Sequence, residues 1–140
     1  MDITTEQPSE AVAVVALAGE LDASNFESVI DEVRRVYEAG ARTLVLDLEK
    51  LTYMGSSGLV AIHAAAMVMR GEQPPSTEDG WDVLHRMGHR VEDGADKPPV
   101  LLAGALQNVD RVLERTGMKR LFDVHPDRDS ALAAVAAGEG

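Results

Sequence analysis

The chain has 140 residues, 45% of them hydrophobic, with a formal net charge of −11 at pH 7 and no cysteine. That length suits one globular domain with a core large enough to need no metal or disulfide. The missing thiols exclude a disulfide framework, a cysteine nucleophile and a thiolate metal site. The acidic balance argues against nucleic-acid binding and anionic membranes, and leaves solubility, or attraction of a basic protein surface, as its meaning.

The start, Met1 to Glu6, has neither the basic region nor the apolar core of a signal peptide. No apolar run approaches the roughly 20 residues that span a bilayer, so a soluble cytoplasmic protein is expected. Ile3 to Thr5 reads as a short edge strand, and Gln7-Pro8-Ser9-Glu10 as the turn after it. Ala11 to Ala18 is almost wholly apolar and ends at Gly19, as in a central strand buried on both faces. Ser24-Asn25-Phe26-Glu27 has the form of a capping box. Phe26, Val29, Ile30, Val33 and Tyr37 then recur at helical spacing up to Gly40.

Thr43 to Leu48 is the next strand, with Leu44, Leu46 and Leu48 on one face. The following helix runs from Ser57 to Met69 with Ser56 as N-cap. From 70 to 98 the regularity breaks: prolines and glycines punctuate a charged stretch, with at most a short helix around Trp81, Leu84 and Met87. A segment this long is a functional insertion or a disordered one. Val100 to Ala103 resumes as a strand, and Leu106, Val109, Val112 and Leu113 mark a helix that stops at Gly117. Phe122 to Val124 is a last short strand, and Asp129 to Ala137 a terminal helix. The order β-β-α-β-α-β-α-β-α predicts a single α/β domain, 1–140, with a mixed, mostly parallel sheet, four helices and an insertion at 70–98 before the fourth strand.

Tyr53-Met54-Gly55-Ser56-Ser57-Gly58-Leu59-Val60 is the stretch with chemistry in it. An apolar strand ends there and two hydroxyls stand at a helix start, where unpaired N–H groups and the positive end of the helix dipole suit an anion such as a phosphate. Helix capping alone also accounts for serines in this place.

Three segments resemble the STAS family, which includes the bacterial anti-sigma factor antagonists. Gly19-Glu20-Leu21-Asp22 is similar to the family's strand end before the first helix. Leu44 to Leu48 followed by Tyr53-Met54-Gly55-Ser56-Ser57-Gly58-Leu59 is similar to its phosphorylation loop. Val109 to Phe122, with Thr116-Gly117-Met118, is similar to its third helix and the turn after it. The resemblance implies a STAS-type fold and a non-enzymatic, protein-binding regulator of transcription that takes no cofactor. Its partner would be a kinase-like anti-sigma factor, or a related protein kinase, that releases its sigma factor on binding.

The resemblance also implies site residues. Ser56 would be the phosphoacceptor, with Ser57 as second choice. Asp22, Ser24, Gly55, Ser57 and Gly58 would form the partner surface, although Asp22 could equally just end its strand or cap the first helix. Phosphorylation would add about −1.5 to −2 charges in the middle of the contact. One departure stands out: Gly55 occupies the place of the family's Asp. Its consequence is weaker kinase recognition, phosphorylation without that carboxylate, or a constitutive STAS subunit of a transporter-associated or stress-signalling assembly. Glycine also opens a backbone conformation closed to Asp.

Other chemistry has less behind it. The Gly-x-Ser-x-Gly spacing of a nucleophile elbow is absent, and no histidine among His63, His85, His89 and His125 is tied by sequence to Ser56 or Ser57. His85 and His89 stand four apart, but Gly88 weakens a helix there and no third ligand is evident, so no metal is expected. Trp81 is read as packing the insertion onto the domain, with an exposed partner anchor as the other possibility.

Overall fold

Two long parallel strands position everything else. In the computed structural model, which describes residues 1–72 and 98–138, β2 (Val12–Leu21) and β3 (Thr43–Met54) run side by side to the same end of the sheet. Around them the described residues form β1 (Asp2–Ser9), α1 (Phe26–Glu38), α2 (Ser56–Met69), β4 (Val100–Ala103), α3 (Gln107–Arg115), α4 (Met118–Leu121), β5 (Asp123–His125) and α5 (Arg128–Gly138). The sheet order is β1-β2-β3-β4-β5, with β1 antiparallel to β2 and the other pairs parallel.

Alternation along the strands sorts the core. Ala13, Val15 and Leu17 of β2 and Leu44, Leu46 and Leu48 of β3 face one layer, where they pack with Val29 and Val33 of α1, Ile62 of α2, and Val109 and Leu113 of α3. Val14, Val45, Leu101 and Ala103 face the other way and meet Ala131 and Val135 of α5. Helices on both faces of a largely parallel sheet are what its buried, apolar strands require.

The α/β domain order holds, and several boundaries move. The first strand continues through Pro8 to Ser9, where a turn was expected. A register shift between Glu6 and Ser9 lets the edge strand carry a residue without an N–H. β2 extends past Gly19 to Leu21, with Gly19 at φ +109 inside the strand rather than ending it. β3 reaches Met54, six residues beyond its expected end at Leu48. Twice it inserts an extra residue against β2, between the pairs Ala16–Asp47 and Ala18–Lys50 and again between Gly19–Leu51 and Glu20–Tyr53.

The capping box does not form. Asn25 is the N-cap of α1 and makes no side-chain cap bond. A fifth, four-residue helix, α4, appears where four helices were expected. Its N-cap is Gly117, whose φ of +81 turns the chain after α3, and Met118 and Phe122 are buried. The last strand is Asp123–His125 rather than Phe122 to Val124. The readings on Trp81, His85 and His89, and most of the 70–98 insertion, lie outside the described residues.

Candidate functional site

The two bulges in β3 have one effect on the site: they keep β3 in step with β2 until Leu21 pairs with Met54. The chain then turns off both strands together, and the Gly55 N–H donates to the Leu21 carbonyl oxygen at 3.0 Å. The residue after Leu21 is Asp22 and the residue after Gly55 is Ser56. The connection β2–α1 and the start of α2 are therefore neighbours, 34 positions apart in sequence and joined by one backbone hydrogen bond.

The Asp22 connection is held by its own side chains. Asn25 Oδ1 accepts the Asp22 N–H at 3.0 Å, and Asn25 Nδ2 donates to the Glu20 carbonyl oxygen at 2.8 Å. Asp22 Oδ1 accepts the Ser24 hydroxyl at 2.6 Å and the Ser24 N–H at 2.9 Å. These two bonds, the hydroxyl's first, hold the Asp22 carboxyl below the ordinary aspartate value, because they stabilise its charged form. Asp22 is partly exposed and Ser24 exposed. Sequence reading treated Asn25 as one letter of a capping box, whereas here it ties the loop to the strand end.

At α2 the cap position belongs to Gly55, not Ser56. Ser56 and Ser57 are the first two helical residues, and no side chain caps the helix. Helix geometry leaves the first N–H groups without intrahelical partners, and the first turn holds no acidic residue, so the anion-friendly character of the start survives the shift of one position. Ser56 is exposed and Ser57 half-buried. Gly55 has φ −86 and ψ −176, extended backbone that any residue adopts, so the expectation of a conformation closed to Asp is corrected.

What Gly55 provides is room. A Cβ built on it would stand 3.3 Å from the Tyr53 hydroxyl oxygen and 3.5 Å from Tyr53 Cε2. Gly58 is different: it is buried against Met54 and Leu21, and its hydrogen is the only side chain that fits there.

Sequence reading missed the brace on the other side of β3. Asn108, in the first turn of α3, donates from Nδ2 to the Thr52 carbonyl oxygen at 2.7 Å, and the Thr52 hydroxyl donates to the Gly19 carbonyl oxygen at 3.0 Å. No sequence pattern announces a contact across 56 positions.

Two clefts, of about 570 Å³ beside Thr43, Pro98 and His125 and about 330 Å³ beside Glu6, Asp47 and Arg128, include neither serine nor Asp22. His63 is buried in α2 seven positions after Ser56, about 10 Å along the axis at 1.5 Å per residue, beyond hydrogen-bond reach. Among the described residues no group of three or more His, Cys, Asp or Glu could hold a metal, and no helix is long and apolar enough to cross a membrane. The site is an exposed surface at the carboxyl ends of two parallel strands.

Comparison with known proteins bears on the same region. The family model described as STAS domain matches residues 2–70, from β1 through the end of α2, and so includes Asp22, Ser56 and Ser57. No curated protein matches the chain. Among solved structures, an anti-sigma factor antagonist from Mycobacterium paratuberculosis is similar with 22% identity and a TM-score of 0.66, over 96% of this chain and 95% of that one. The anti-sigma factor antagonist SpoIIAA in its unphosphorylated form shares 16% identity at a TM-score of 0.60, over 96% of each chain. The Bacillus cell fate determinant SpoIIAA in its phosphorylated form shares 16% at 0.57, over 96% of this chain and 99% of that one. At these identities the likeness is one of fold, and it extends past residue 70 to β4, β5 and the last helices.

Proposed function

From a chain that carries a STAS domain and has the fold of anti-sigma factor antagonists, we propose a regulatory protein-binding module that engages a kinase-like anti-sigma factor and is switched by phosphate on Ser56. The observation that supports this reading is the hydrogen bond from Gly55 to Leu21, which joins the residues directly before the exposed Ser56 and before Asp22. A partner covering one would cover the other.

The switch follows from charge and position. Unmodified, Ser56 offers a small neutral side chain and Asp22 a carboxylate kept ionised by Ser24. A phosphate would place about −1.5 to −2 charges in the contact, beside Asp22, and a partner that accepts one negative charge there would be repelled by the sum. The fold would tolerate the change, because Ser56 is exposed and the N-terminus of α2 favours an anion. Among the solved neighbours, SpoIIAA exists in unphosphorylated and phosphorylated forms, which lends the reading support by analogy of fold.

A second reading is kept by Gly55, since the carboxylate that would stand before the phosphoacceptor is missing: a STAS subunit that binds constitutively in a larger assembly. Pull-downs from native lysate with wild type, Ser56→Ala, Ser57→Ala and Ser56→Glu, and mass analysis of the wild type, separate the two. The switch predicts an ATPase-fold partner retained by wild type and both alanine variants and lost with Ser56→Glu. Equal recovery by all four, with no phosphate on Ser56, would leave the constitutive subunit.

A further inference from the structure

Gly55 sits in ordinary extended backbone, so its lack of a side chain answers to what lies above it, and that is the Tyr53 ring. Tyr53 is 49% exposed at the end of β3, yet it does not project freely: its hydroxyl oxygen is 3.3 Å, and its Cζ 3.8 Å, from where a Cβ of residue 55 would be. The phenol thus lies in contact with the point where a side chain at 55 would begin, one residue before Ser56.

Resting on Ser56 as phosphoacceptor, we propose that Tyr53 is the phosphate-positioning residue of this loop, its hydroxyl donating a hydrogen bond to the phosphate on Ser56 where a carboxylate at position 55 would repel it. A phenol is neutral at physiological pH, with one donor and no charge to oppose a dianion. An acid at 55 would be a fixed like charge next to the phosphate. The pairing of a glycine with a folded-back tyrosine therefore reverses the sign of the local interaction: phosphate is held rather than pushed outward. Among the described residues the acids next to the loop in the chain or the sheet are Asp22, directly after Leu21, and Glu20, which pairs with Tyr53 across the sheet; both act against the dianion, and α2 adds no acid in its first turn.

The test uses the full chain with phosphoserine installed at position 56 by genetic encoding, so it does not depend on whether a kinase modifies Ser56 in the cell. The second phosphate ionisation is followed by 31P NMR against pH for the wild-type background, Tyr53→Phe and Gly55→Asp. Tyr53→Phe keeps the ring and removes only the donor. It should raise the phosphate pKa by about half a pH unit, a threefold gain in proton affinity, because a bond to the dianion is lost. Gly55→Asp, which displaces the ring and adds a charge, should raise it further. Coincident titrations for wild type and Tyr53→Phe would overturn the role of Tyr53. Absence of phosphate on Ser56 from native cells would instead overturn the switch and leave this measurement intact.

Discussion

Gly58 lies so close to Met54 that a Cβ added to it would stand 2.3 Å from Met54 Cγ, with Leu21 Cγ and Cδ2 at 3.1 Å. The start of α2 is pressed onto the ends of β2 and β3, and this approach is what holds Ser56 level with the Asp22 loop. Gly58→Ala therefore forces an overlap that must be relieved by moving Met54 or lifting the helix. Overpacking costs about 1–3 kcal/mol, against which the better helix propensity of alanine returns about 1 kcal/mol. Net destabilisation of about 1 kcal/mol, and at most about 2 kcal/mol, is expected, read from the urea midpoint. An unchanged midpoint would show that the helix start is not seated as described.

Gly55→Asp behaves in the opposite way. The backbone at 55 accepts any residue, and the atom a new Cβ would crowd is the far end of an exposed tyrosine. Stability should stay within about 0.5 kcal/mol of wild type by chemical denaturation. The Tyr53 ring resonances in the NMR spectrum should move as the ring is displaced.

Asn25→Ala removes both bonds that fasten the Asp22 loop, leaving the Asp22 N–H and the Glu20 carbonyl to water. With about 1 kcal/mol for each net hydrogen bond, and water replacing part of it, a loss of about 1–2 kcal/mol is expected. Amide hydrogen exchange should rise locally at Asp22 and Ser24. Protection there equal to wild type would contradict the role assigned to Asn25.

The Asp22 carboxyl titrates below its ordinary value because Ser24 donates to it twice. A carboxylate whose folded pKa is depressed stabilises the fold above the unfolded value, and that contribution disappears as pH falls through the folded value. Loop order should therefore be constant from neutral pH down to about 4, the ordinary aspartate range, and decline below it. Ser24→Ala should move the Asp22 titration upward in a carboxyl 13C NMR experiment; an unmoved titration would assign the shift elsewhere.

Phe122 is fully buried directly after α4, although it lies in no helix or strand. Phe122→Ala should cost about 3–5 kcal/mol in the denaturation midpoint. It should leave Ser56 and Asp22 exposed as before, since they belong to the opposite half of the chain.

Where a local pattern repeats, the sequence was sufficient. The alternation Leu44, Leu46, Leu48, the helical spacing of Val29, Ile30 and Val33, and the stop at Gly117 report backbone geometry within a few residues, and the α/β order followed from them. Ser56 and Asp22 are candidates through their resemblance to a family's motifs, and the anion-friendly helix start follows from the position of the serines.

Other features belong to tertiary structure, because each depends on atoms far apart in the chain. Only the register of β3 on β2, with its two extra residues, brings Leu21 opposite Met54 and joins two loops 34 positions apart into one surface. Only packing distinguishes two glycines of one motif: a Cβ at Gly58 would overlap Met54, while a Cβ at Gly55 would only touch the Tyr53 ring. Sequence sets which residues are present at a strand's end, and the pairing of strands, a long-range event, decides what each of them faces.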